Sequence, residues 1–105
     1  MATAAFYQIY VSPRSGVSAG VLEKQMDLAI DWFRIDPKTW IVYTTSNANK
    51  WQERLKPFVK PGGHLFICKL DISDRQGWMV PAFWEWLKAD PSSRPATTKS
   101  SKRGK

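Results

Sequence analysis

Residues 31–45 read DWFRIDPKTWIVYTT. The first five either prolong a helix that precedes them or open a new strand, and the choice sets the number of strands in the sheet. Asp36-Pro37 decides it. Aspartate suits the first position of a type I turn because its carboxylate bonds backbone two residues on, and proline presets the φ that the second position needs. The runs on either side are dense in aromatic and β-branched residues, which suit a pleated, half-buried surface. The stretch therefore reads as a hairpin of residues 31–35 and 39–45.

Upstream, FYQIYVS at residues 6–12 has the same strand composition and stops at Ser12-Pro13. In SAGVLEKQMDLAI the apolar residues Val21, Leu22, Met26 and Ala29 recur at helical spacing, so a helix starting near Ser18 packs that face on the sheet. Gly20 in its first turn weakens it by up to about 1 kcal/mol. Downstream, Ser46 or Asn47 can cap a helix over NANKWQERL by accepting from its free amides, with Trp51 and Leu55 on one face. Pro57 ends that helix near Lys56. Gly62-Gly63 turns the chain, and HLFICKL makes a further strand.

The stretch GWMVPAFWEWL at residues 77–87 holds three of the six tryptophans. Pro81 suits the first turn of a helix, where its missing amide hydrogen has no bond to lose. Phe83, Trp86 and Leu87 then share one face and read as a lid on the core, each contributing about 1.5 to 3 kcal/mol when buried. Trp84 and Glu85 point elsewhere, and Trp78 packs at the base of the helix.

The order strand, helix, strand, strand, helix, strand is that of an α+β, ferredoxin-like βαββαβ plait with an extra C-terminal helix. Residues 1–90 form this domain. Residues 91–105 carry too little apolar surface to offset their ordering entropy and read as a disordered basic tail.

Of the net charge of +7, residues 1–87 contribute ten Lys and Arg against eight Asp and Glu, or +2, and residues 88–105 six against one, or +5. The basic tail, with Lys99, Lys102 and Arg103, either binds polyanions through counterion release or only solubilises the chain. Lys50, Arg54, Lys56 and Lys60 add a modest basic patch on and after the second helix. The opening residues lack a charged segment followed by a long apolar core, no apolar run reaches the span of a membrane helix, and the single cysteine forms no intrachain disulfide. A cytoplasmic protein is expected, with Cys68 buried in the run LFIC.

Chemistry is sparse. Asp71 and Asp74 in LDISDRQG are the one carboxylate pair with spacing to hold a metal, although such residues ordinarily bond their own loop. His64 reads as a loop-edge histidine, and no cofactor is called for. With Ile9 and Val11 facing the helices, Gln8, Tyr10 and Ser12 face away. One assignment of the hairpin adds Trp32 and Arg34, with Lys69, to that outer face. RNA-recognition motifs use this face, but TWIVYTT lacks the glycine and basic residue of their third strand.

The segments WFRIDPKTWIVYTT, NKWQERLKPFVKPGGHLFICKL and RQGWMVPAFWEWL together resemble small bacterial ferredoxin-fold proteins of the SinR-like family, distantly similar to the small subunit of the CRISPR adaptation complex. Trp32, Trp40, Leu55-Lys56-Pro57, Gly77-Trp78 and Trp84-Glu85-Trp86-Leu87 carry the likeness, over residues 30–88. It implies a plait able to pair as a homodimer, in a mobile-element or defence setting. The CRISPR-related proteins have an aspartate at the end of strand one as metal ligand, where this chain has Val11, which cannot hold Mg²⁺. Three functions follow as expectations: a noncatalytic homodimeric interaction module that binds a protein or nucleic-acid partner, first; a nucleic-acid-binding protein using Lys50 to Lys60 and the tail; and a metal-dependent nuclease using Asp71 and Asp74.

Overall fold

The computed structural model describes residues 3–88, so the expected tail at 91–105 lies outside the described residues. In chain order the elements are β1 (Ala5–Ser12), α1 (Ala19–Met26), β2 (Asp31–Asp36), β3 (Thr39–Thr44), α2 (Ala48–Leu55), a 3-10 turn (Lys56–Phe58), β4 (His64–Leu70) and α3 (Pro81–Lys88). The fold is α+β: one antiparallel four-stranded sheet in the order β2-β3-β1-β4, with three helices.

The β2–β3 hairpin forms around Asp36-Pro37 as its chemistry requires. The Lys38 amide donates to Asp36 Oδ1 at 2.8 Å, and Asp36 lies opposite Thr39. Both early helices start at side-chain caps. Ser18 Oγ accepts from the Val21 amide at 3.4 Å, and Asn47 Oδ1 from the Lys50 amide at 2.9 Å. Helix α1 is shorter than its apolar spacing predicts. It ends at Met26, so Ala29 is buried from the turn beyond it and Val21 is left on the outside.

Strand period and helix spacing together sort the apolar residues into two cores, one on each face of the sheet. On the inner face Tyr7, Ile9, Val11, Trp32, Trp40 and Val42 pack against Leu22 and Met26 of α1 and Trp51 and Leu55 of α2. On the outer face Phe6, Phe33 and Ile41 pack under Phe83, Trp86 and Leu87 of α3, which closes its own sheet as a lid. The outer core is aromatic, with Phe33 edge-on to Phe83 and Phe6 edge-on to Trp86, geometries that suit ring quadrupoles. It is pinned by Asp31, which is fully buried and accepts from Trp86 Nε1 at 2.7 Å and from the Trp32 amide at 2.9 Å.

The register settles which face of the hairpin is outward, and two expectations, for Cys68 and Trp78, fail on packing. Trp32 and Arg34 lie on the inner face: Trp32 is opposite Val42 and Arg34 opposite Trp40, and facing residues of paired strands share a side. Arg34 there stacks over Trp40 at 4.8 Å and bonds Glu23 of α1 at 3.3 Å. Lys69 joins them, since it lies opposite Tyr7. Cys68 is exposed, because in β4 it alternates with inward Leu65 and Ile67 and points to the part of the outer face that α3 does not reach. Trp78 is 100% exposed and does not pack at the base of α3; Trp84 takes that place, beside Gly77.

Candidate functional site

Helix α3 covers β2, β3 and the Phe6–Leu70 end of the β1–β4 pair, and among the described residues nothing covers the rest of that pair. There Tyr10 lies opposite Phe66 and Gln8 opposite Cys68. Phe66 is 59% exposed, which makes this the aromatic centre of an uncovered sheet surface. Gln8, Tyr10 and Ser12 thus face outward as expected, with neighbours supplied by β4.

The basic residues of α2 do not share a face. Each helical residue turns the side chain by about 100°, so Lys50 and Arg54 fall on one flank and Lys56 on the other, next to Gln52. On the first flank Lys50 pairs with Glu53 at 3.7 Å and Arg54 stacks over Trp51 at 4.7 Å. On the second, Lys56 and Lys60 come together along a groove of about 600 Å³ between α2 and β4, lined also by Asn49, Gln52, Leu65 and Ile67. His64 stands exposed at its end, at the head of β4. Lys99, Lys102 and Arg103 lie outside the described residues.

Strand β4 forms one edge of the sheet, and its outward backbone groups follow from the pairing of β1. The Val11 amide donates to the carbonyl of Lys38 at 2.8 Å. Those two residues face each other if the β1–β3 register is continued, so Val11, Ile9 and Tyr7 direct their amides and carbonyls to β3. Alternate residues Gln8, Tyr10 and Ser12 therefore bond β4, through Cys68, Phe66 and His64. Leu65, Ile67 and Lys69 are left with amides and carbonyls pointing off the sheet. The sequence holds the signal for this, in the period-two alternation of HLFICKL, but only the strand order shows that the strand is an edge.

The carboxylates sit in the loop after β4. Asp71 Oδ1 accepts from both the amide and the hydroxyl of Ser73, and the Asp74 amide approaches the Asp71 carbonyl at 3.4 Å. The Asp71 carboxylate thus closes its own turn. A pocket of about 290 Å³ opens beside this loop, lined by Asp71, Asp74 and Arg75 at the loop and by the apolar chains of Ile41, Leu70, Met79, Phe83 and Trp84. Among the described residues no group of three or more His, Cys, Asp and Glu could hold a metal ion. Val11, at the end of β1, is fully buried in the inner core.

The Ser73 hydroxyl and then the Ser73 amide hold Asp71 below the ordinary carboxylate pKa. A depressed folded-state pKa adds stability above the unfolded value of about 3.9 and loses it as pH falls through the folded value. In an NMR titration Ser73→Ala should return Asp71 toward the ordinary range. An unchanged midpoint would show that the turn does not set it.

No family model matches the chain, and no curated protein or solved structure matches it. Among the described residues no helix is long and apolar enough to cross a membrane.

Proposed function

We propose that the chain is a ferredoxin-like plait carrying α3 as an added lid, and that it serves as a noncatalytic module that pairs with a second copy of itself. The order of elements and the strand order β2-β3-β1-β4 support the plait. The uncovered Tyr10–Phe66 surface carries the pairing: an aromatic patch on a sheet face, beside a helix that already covers the other half, is the kind of surface that a second subunit buries. The resemblance to SinR-like proteins agrees with this reading and suggests a mobile-element or defence setting.

The competing readings draw less support. Nucleic-acid binding by Lys50, Arg54, Lys56 and Lys60 has its cations divided between two flanks of α2. Metal-dependent hydrolysis at Asp71 and Asp74 has its first carboxylate engaged by Ser73.

Light scattering after size exclusion should give the mass of two chains. Phe66→Asp, which puts a charge on an already exposed position, should give one chain with unchanged circular dichroism. A wild-type protein that elutes as a strict monomer at every concentration would overturn the proposal.

A further inference from the structure

The two edges of the sheet are unlike. Sheet edges attract stray strands, and proteins guard them with bulges, charges and prolines. Strand β2 is guarded. Its register shifts between Arg34 and Asp36, it begins at the buried carboxylate of Asp31, and it runs into Pro37. Strand β4 is regular over all seven residues, with no register break against β1 and no proline, and its one lysine stands near the end. It is the longer edge and, among the described residues, the open one.

The groove beside that edge selects what can add to it. An incoming strand would bond the outward amides and carbonyls of Leu65, Ile67 and Lys69. Every second side chain would then point up toward α2, over a floor of Leu65, Ile67 and Val59, and toward Lys56 and Lys60. Among the described residues no acidic side chain lines the groove. The remaining side chains would lie on the outer face beside Phe66 and Cys68. An extended segment with carboxylates at alternate positions satisfies both the backbone and the lysines.

Charge removes the nearest competitors. A second copy pairing β4 with β4 about a two-fold axis would set both α2 helices on the same sheet face, with Lys56 and Lys60 against their own counterparts. Residues 91–105 hold five Lys and Arg and no Asp or Glu, so that part of the chain is repelled as well. Nucleic acid matches the lysines but has no backbone that continues a β ladder.

We propose that the α2–β4 groove binds an extended acidic segment of another protein, which adds to the sheet as a fifth strand by β-augmentation. This goes beyond pairing of the chain with itself, since a dimer through Tyr10 and Phe66 leaves the outward groups of β4 open to a strand, the Lys69 carbonyl meeting only the Cys68 thiol at 3.5 Å. The lysines supply the choice of partner and the strand edge the bulk of the contact.

The test uses the full chain, isotope-labelled, and three fluorescent probes: a short peptide alternating glutamate and valine, the same peptide with lysine for glutamate, and single-stranded oligodeoxythymidine. The glutamate peptide should bind and the lysine peptide should not, and the amide signals of Leu65, Ile67 and Lys69 should move most. Lys56→Glu with Lys60→Glu, both exposed, should weaken binding about tenfold. Lys69→Pro, which removes an outward amide donor, should weaken it further than Lys69→Gln, which removes only the charge. Equal binding of both peptides, equal effects of the two Lys69 variants, shifts confined to the Tyr10 surface, or binding of the oligonucleotide without the glutamate peptide would each overturn the proposal. Monomeric protein that still binds the glutamate peptide would remove the dimer and leave the groove standing.

Discussion

Asp31→Ala is expected to lower the unfolding free energy by about 3 kcal/mol, read from urea denaturation. The carboxylate is fully buried, and both its oxygens accept: Oδ1 from the Trp32 amide at 2.9 Å and Oδ2 from Trp86 Nε1 at 2.7 Å. Hydrogen bonds to a charged group contribute about 1.5 to 3 kcal/mol each, and donors left buried without an acceptor add their desolvation cost. Local relaxation recovers part of the sum. Trp86→Phe keeps a ring in the outer core and drops only the indole donor, so it should cost less. The two changes together should fall short of additivity by about 1 kcal/mol, since they remove one shared bond. An Asp31→Ala protein with the wild-type midpoint, or strict additivity, would show that the bond between β2 and α3 does not hold the lid.

The second large effect is a single methyl group. Gly63→Ala should cost about 3 kcal/mol, at the upper end for overpacking. A Cβ there would stand 2.7 Å from the Val59 carbonyl oxygen and still nearer that of Ser12, with the Arg14 amide at 3.1 Å. All three are backbone atoms, and none can rotate aside as a side chain would. The end of β1 and the entry to β4 must separate. Gly62, with φ +95° and open space around it, should cost only about 1 to 2 kcal/mol as alanine, from its left-handed backbone. Gly20 in the first turn of α1, with no atom nearer than Ser18 Oγ at 3.9 Å, should gain up to about 1 kcal/mol. Thermal unfolding of the three variants would check the ranking. A Gly63→Ala protein as stable as Gly62→Ala would contradict the close approach.

What the sequence revealed and what it hid divide by range. The hairpin at Asp36-Pro37, the caps Ser18 and Asn47, and the Phe83, Trp86 and Leu87 face all rest on contacts within a few residues, and each is found where local chemistry puts it. Cys68 was misplaced because an apolar run looks the same in a central strand and at an edge. Only the neighbours of β4 expose every second side chain. The face of Trp32 and Arg34 stays open in the sequence for a related reason, since alternation gives two faces and only the register with β3 says which is which. The division of Lys50 and Arg54 from Lys56 was available from helical geometry alone, because their spacing already places them on different flanks. Asp31 carried no signal. An aspartate opening an aromatic strand looks like a misfit until the indole of Trp86, 55 residues later, is brought against it.

The lid has a further consequence during synthesis. Chains grow from the amino end, and domains begin to fold as they emerge. The inner core draws its residues from β1 through β4 and can consolidate early. Phe6, Phe33 and Ile41 must wait for Phe83, Trp86 and Leu87. Until then the nascent sheet shows a greasy flank to its surroundings, and this is the interval in which a chaperone would find it and in which neighbouring nascent chains would stick.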